Sequence, residues 1–149
     1  IQKMNEIVWA LNVNNDNLQS LISYTRQYAV SYLDDLDIRC DVEITENIPD
    51  IIVTGNNRRS VFLLVKEALN NIAKHSGASS VEIKFQVNNK LHIHVHDNGK
   101  GISSTLQNLH GNGLLNMQRR IQKLRGEMQI ANSKGTKVDF DIPIKYLNS

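Results

Sequence analysis

HIHVHDNGKGI, residues 92–102, is the stretch on which the reading of this chain turns. Three histidines alternate along it, a pattern that suggests zinc or copper, and an aspartate and two glycines follow. Successive side chains of a β-strand point to opposite faces. Over residues 91–97, Leu91, Ile93, Val95 and Asp97 therefore share one face, and His92, His94 and His96 share the other. The same parity in residues 80–87 turns Val81, Ile83, Phe85 and Val87 inward, with Glu82, Lys84 and Gln86 outward. In the last strand Val138, Phe140 and Ile142 face in, while Lys137, Asp139 and Asp141 face out. One face of the sheet is apolar and covered by helices; the other is polar and wet. The histidines fall on the wet face, about 6.5–7 Å apart. Rings held at that spacing on a rigid pleat converge poorly on one ion. The stripe thus reads as solvated, with a transition-metal site as the alternative. Asp97 is different, because its carboxylate continues the buried row.

Working outward, residues 1–11 read as the end of a helix, and NVNNDN at 12–17 as a turn-rich break. Leu18, Leu21, Ile22, Thr25, Tyr28, Ala29 and Tyr32 recur at helical spacing, which predicts an amphipathic helix over 17–34. Ile38, Cys40, Val42 and Ile44 alternate, as in a strand; this places the lone cysteine, Cys40, in the core rather than as a reactive thiol. Trp9 either packs between the N-terminal helix and the rest or hangs free. A second helix is expected over 57–75, closed by Gly77. Strands 80–87 and 91–97 flank Asn88–Asn89 as a hairpin. A third helix, Leu114–Leu124, stops at Gly126, and two closing strands follow. The fold class expected is an α/β (α+β) two-layer sandwich, a mixed and mostly antiparallel sheet with three helices on one face.

A buried carboxylate needs hydrogen-bond donors to offset its desolvation. Asp97-Asn98-Gly99 can be a plain turn. Against that, Gly111-x-Gly113 opens the third helix, and bare N–H groups at a helix start form an anion site. An inward carboxylate at one end and such a site at the other suit adenine nucleotide. The second helix adds to this. Its apolar arc is Val61, Leu64, Val65, Ala68, Leu69 and Ile72, while Glu67, Asn71, Lys74 and His75 fall within about one third of the opposite side. Asn71 can give an oxygen to Mg²⁺, Glu67 can hold its water or a proton, and Lys74 can meet phosphate. The plainer reading of that row is a solvated stripe whose last-turn cations favour the helix dipole.

In order, Glu67-x-x-x-Asn71-x-x-Lys74-His75, Asp97-x-Gly99-x-Gly101, Gly111-x-Gly113-Leu114 and Gly135-Thr136 resemble the four boxes of the GHKL ATPase superfamily, over roughly residues 57–144. The helix box looks most like that of sensor histidine kinases. The N-terminal third is similar to the junction ahead of the ATP-binding domain in NarL-partner-type kinases, especially large Bacteroidetes hybrid sensors. The resemblance implies a Bergerat-type ATP-binding fold, ATP and Mg²⁺ as cofactors, and transfer of the γ-phosphate to a histidine on an upstream helix. It implies Glu67 as the catalytic residue, acting through Mg-bound water or as base, and Asn71 as the magnesium ligand. Asp97 would accept from the adenine amino group, with Thr136 in support. Asn71, Lys74, His75, Gly99, Gly101, Ile102, Gly111, Gly113 and Leu114 would complete the ATP-binding set. It further implies residues 1–16 as the end of a dimerisation helix and linker, 17–149 as the catalytic domain, and a cytoplasmic setting in a membrane-bound sensor. The partners implied are a second copy through upstream helices and a response-regulator receiver domain.

The remaining features narrow the alternatives. The chain has 149 residues, 40% apolar, two prolines and a formal charge of +2, which fits one folded domain and gives no argument for nucleic acid. No apolar run approaches the roughly 18 residues of a membrane span, and the opening IQKMNEIVWAL, which lacks an initiator methionine, reads as part of something larger. Arg119, Arg120 and Lys123 form a basic face on the third helix, either solvated or a docking surface for an acidic partner. The histidines stand at 75, 92, 94, 96 and 110, none ahead of the first box. A catalytically silent nucleotide-binding module that signals by docking is therefore the competing function.

Overall fold

The computed structural model describes the backbone of residues 2–101 and 111–149 and the side chains of 6–101 and 113–149. Helix α1 (Gln2–Leu11) leads through a short 3₁₀ turn, Val13–Asn15, into α2 (Leu18–Asp34). Asn17 caps α2 by accepting the Ser20 N–H at 2.7 Å. Leu18, Leu21, Ile22, Thr25, Ala29 and Leu33 of α2 are buried at the spacing of one helix face. β1 (Arg39–Ile44) follows, then α3 (Gly55–Asn71), which continues into a π-helical turn, Ile72–Ser76. Gly77, at φ 63°, ends that turn in the left-handed region. β2 (Ser80–Val87) and β3 (Lys90–Asp97) form the expected hairpin, in which Asn88 Oδ1 accepts the Lys90 N–H at 2.9 Å. α4 (Gly111–Lys123), β4 (Glu127–Asn132) and β5 (Thr136–Pro143) complete the chain.

The five strands are ordered β1-β2-β3-β5-β4. β1 and β2 pair in parallel, with α3 as their crossover, and every other pair is antiparallel. The mixed sheet with helices on its apolar face is the architecture expected. The inward row is buried, including Val81, Ile83, Phe85, Leu91, Ile93, Val95, Phe140 and Ile142, and it shares one core with the buried residues of the helices. On the other face Glu82 lies opposite His96, Lys84 opposite His94, and Gln86 opposite His92. The histidine stripe is paired: His92 Nδ1 contacts Asp141 Oδ1, His94 Nδ1 sits 2.6 Å from Asp139 Oδ1, and His96 Nε2 lies 2.9 Å from the Ser133 carbonyl. Among the described residues no group of three or more His, Cys, Asp or Glu is placed to hold a metal ion.

Three expectations are adjusted. α4 starts at Gly111, three residues before Leu114, so both glycines of that box belong to its first turn. The second helix is not regular to residue 75, because its last turn is π-helical. Cys40 is half-buried on the edge strand β1, packed against the core rather than within it; burial, with help from Asp41, pushes its thiol up to about 11. Trp9 does not hang free. It is buried, stacked on Tyr24 at 4.1 Å between ring centroids and edge-on to Phe62 at 5.9 Å. Among the described residues no helix is long and apolar enough to cross a membrane.

Candidate nucleotide-binding site

Asp97 ends β3 on the buried face and is 2% exposed. One carboxylate oxygen accepts the Gly99 N–H at 2.8 Å, so the turn reading and the inward reading of this residue hold together. The loop after it is fixed to the end of the π-turn. Lys100 N–H donates to the Ser76 carbonyl at 2.9 Å, and Asn98 Oδ1 accepts the N–H groups of Ser79 and Ser80 at 2.9 and 3.0 Å. Ser76 is itself held by its hydroxyl, which donates to the Ile72 carbonyl at 2.7 Å. One step past the His96–Lys137 pair stands Thr136, the first residue of β5. Its hydroxyl is buried and has no partner among the described residues. A buried polar atom without a partner costs about 1–3 kcal/mol, so this one points to a ligand or water that completes it.

Asp97 and Thr136 border a cleft between the sheet, α3 and α4 with about 640 Å³ of empty space, solvent at its mouth included. Asn71, His75, Gly101 and Leu114 line the same cleft. Six of the residues singled out in the sequence therefore meet in one place. Ala68, Ile72, Val95, Met117, Ile130 and Val138 supply its apolar walls. These were legible only as core positions: parity turns Val95 and Val138 inward, and helical spacing does so for Ile72, but neither pattern shows where a core stops short of closing. Ser76, also in the lining, carried no signal at all.

Glu67 is half-buried and is not part of that lining. Its carboxylate lies against the first turn of α4, where a side chain at Gly113 would collide with Glu67 Oε1. A carboxylate at a helix N-terminus is favoured by the unpaired N–H groups and the helix dipole. Gly111 and Gly113 both contribute backbone to that turn. Lys74 is exposed and lies off the cleft. The straight-helix wheel puts Lys74 and His75 on either side of Asn71, but the π-turn, with more residues per turn, carries Lys74 further round from Asn71 and brings His75 nearer, and of the two His75 lines the cavity. Ile102, also expected at the site, lies outside the described residues.

An acidic acceptor and a buried hydroxyl at the ends of two central strands, apolar walls, and a helix start beside a carboxylate form one cleft between two layers, with chemistry that suits a nucleotide. The comparisons agree. Residues 56–146 match the family described as histidine kinase-, DNA gyrase B-, and HSP90-like ATPase. The chain belongs to that family. It is 30% identical over 115 residues to the sensor histidine kinase LiaS of Bacillus subtilis, covering 75% of this chain and 32% of LiaS. It is 31% identical over 100 residues to the nitrate/nitrite sensor protein NarX of Escherichia coli, covering 65% of this chain and 17% of NarX. The chain thus spans about a third or less of the curated relatives it matches. In fold it resembles the histidine kinase domain of the Erythrobacter litoralis blue-light activated kinase EL346, with TM-score 0.70 and 24% identity over 86% of this chain and 63% of that one. It also resembles the catalytic domain of the histidine kinase ThkA, with TM-score 0.69 and 18% identity over 86% and 92% of the two chains.

Proposed function

We propose that this chain is the ATP-binding catalytic domain of a sensor histidine kinase, of the NarL-partner type and similar to Bacteroidetes hybrid sensors, that hands the γ-phosphoryl group of ATP to a histidine on an upstream helix. A nitrogen–phosphorus bond forms, the bond from phosphorus to the ADP oxygen breaks, and the imidazole proton leaves to a base. The buried Asp97 carboxylate beside an unpartnered Thr136 hydroxyl carries the reading, because together they present acceptor and donor to a purine edge inside an apolar slot. In this reading Asp97 accepts from the exocyclic amine and Thr136 completes its hydrogen bonding through water. The N–H groups of the Gly111–Gly113 turn face phosphate, and His75, Gly99, Gly101 and Leu114 frame the nucleotide.

The donor set suits a hard cation. Asn71 and Glu67 present an amide oxygen and a carboxylate one turn apart on α3, the ligand chemistry that Mg²⁺ prefers. Bound there, the ion would neutralise phosphate charge. Asn71 would hold it, and Glu67 would orient its water or take the proton from the acceptor imidazole. Lys74 is kept as a phosphate contact only where the nucleotide reaches beyond the cleft. Residues 1–16 are assigned to the end of the dimerisation helix and linker and 17–149 to the catalytic domain, in a cytoplasmic portion of a membrane-bound, dimeric sensor that passes phosphate to a receiver domain.

Titration of ATP with and without Mg²⁺, repeated with Asp97→Asn, tests the assignment. Losing a hydrogen bond to a charged acceptor costs about 1.5–3 kcal/mol, so affinity should fall roughly 10- to 100-fold. Equal binding by wild type and variant would refute it.

A further inference from the structure

Arg58 ties the N-terminal helix to α3, the helix that also carries Glu67 and Asn71. Arg58 stands in the first turn of α3 and is wholly buried, at 0% exposure. Its Nη2 donates to the carbonyls of Trp9, Ala10 and Asn12 at 3.3, 2.5 and 3.3 Å, and Nη1 donates to the Val53 carbonyl at 2.9 Å and to Asp16 Oδ1. The guanidinium plane also lies 5.4 Å from the Trp9 ring centre. Trp9 and Ala10 belong to the last turn of α1, whose carbonyls have no partners within their own helix. A cation there also meets the negative end of the helix dipole. Arg58 is thus a buried fastener for the end of α1.

A second tie lies further along. Lys66 Nζ bonds Glu6 Oε1 at 2.8 Å, with Glu6 buried. Arg58 and Lys66 are eight residues apart, about 12 Å on a helix, so α1 is pinned along the half of α3 that runs up to Glu67. The junction is also incompletely satisfied. Four buried side-chain polar atoms among the described residues lack a protein partner; one is Thr136 Oγ1 in the cleft, and the other three, Trp9 Nε1, Thr54 Oγ1 and Arg58 Nε, all sit at or beside this junction. A buried polar atom of this kind is completed by water or left at a cost of about 1–3 kcal/mol. The joint is tied by two cations, and Arg58 makes most of its bonds.

We infer that Arg58 is a positioning residue: it latches α1 to the helix that bears Glu67 and Asn71, and so sets the attitude of the segment preceding the ATP-binding domain relative to the nucleotide cleft. Its consequence for phosphotransfer rests on the kinase reading; the latch itself does not. Unlatching loosens the Trp9 end of α1, which Lys66–Glu6 still holds further back, and leaves the cleft intact, because neither Asp97 nor Thr136 touches the junction.

Trp9 is the only tryptophan in the chain, so its fluorescence reports the latch alone. In the 149-residue protein, Arg58→Met should shift Trp9 emission to the red and raise its acrylamide quenching constant at least twofold. Arg58→Lys should restore part of the protection. Asp16→Asn, which removes a partly exposed partner and spares the cation, should move both readouts the same way by less. ATP affinity should stay within twofold in all three. In the longer kinase, Arg58→Met should lower phosphohistidine formation at saturating ATP at least tenfold with KM unchanged. Trp9 as shielded in the variants as in wild type would overturn the latch, and so would ATP affinity that falls in step with Trp9 exposure, since that marks general unfolding. If Arg58→Met does not fold, Arg58→Lys and Asp16→Asn decide by the same two criteria. Loss of the kinase reading would show instead as absent ATP binding by wild type, with the fluorescence pattern unchanged.

Discussion

Gly135 offers a quantitative test of the site's construction, because Gly77 is a built-in control. Both residues have positive φ, 116° and 63°. A side chain at Gly77 would meet nothing within 4 Å, whereas at Gly135 it would overlap the Asp97 carbonyl and come within 3.1 Å of Asn98 Cα. Gly77→Ala therefore carries only the left-handed penalty, roughly 1–2 kcal/mol. Gly135→Ala carries a backbone penalty of about 1–3 kcal/mol and a further overlap term of about 1–3 kcal/mol. A central value near 4 kcal/mol corresponds to a Tm drop of about 8–16 °C at this size, against about 3–6 °C for the control. The overlap can be relieved only by moving the backbone of Asp97 or the turn ahead of Thr136, so ATP affinity should fall with stability in Gly135→Ala and hold in Gly77→Ala. Thermal unfolding of both variants, with an ATP titration of each, gives the answer. Equal Tm losses, or full ATP affinity in Gly135→Ala, would refute the close packing of these two boxes.

Two other outcomes follow from single atoms. Thr136→Val removes a buried hydroxyl that has no partner, so the nucleotide-free protein should gain about 1 kcal/mol in a denaturant titration while ATP binding weakens several-fold; a loss of stability would mean the hydroxyl is already satisfied. Cys40, whose thiol is raised from 9.0 to about 11 chiefly by burial, should remain protonated at pH 8, and its alkylation by iodoacetamide should keep rising about tenfold per pH unit from 8 to 10. The sign is that of a raised acid: stability from the neutral thiol is full below pH 9 and is lost as pH rises towards 11. Alkylation that levels off near pH 8 would contradict it.

Much of this was legible because strands and helices have different periods. Parity alone separated Asp97 from its three histidine neighbours and placed it with Leu91, Ile93 and Val95. The helical repeat placed Val61, Leu64, Val65, Ala68 and Leu69 in the core, and all are buried. Periodicity failed where the geometry stopped being regular. The π-turn moved Lys74 off the cleft, a shift that no wheel drawn at 100° per residue contains. Arg58 was missed for another reason. A burial pattern treats a guanidinium as surface, and nothing local in the sequence says that the carbonyls of Trp9, Ala10 and Asn12 will surround it. Cleft walls such as Met117 and Ile130 stayed hidden because lining a cavity and filling a core need the same residues.

The parallel pairing of β1 with β2 has a mechanical consequence. Two parallel neighbours cannot be joined by a tight turn, so the chain must leave the sheet and return, and α3 is the segment that makes the trip. The base end of the proposed ligand thus rests on β3 and β5, braced by strands on both sides, while Glu67 and Asn71, proposed for the metal, ride on a span anchored at one margin of the sheet. In the proposed kinase reading, a tilt of that span would shift the residues offered to the metal and leave the ring seated.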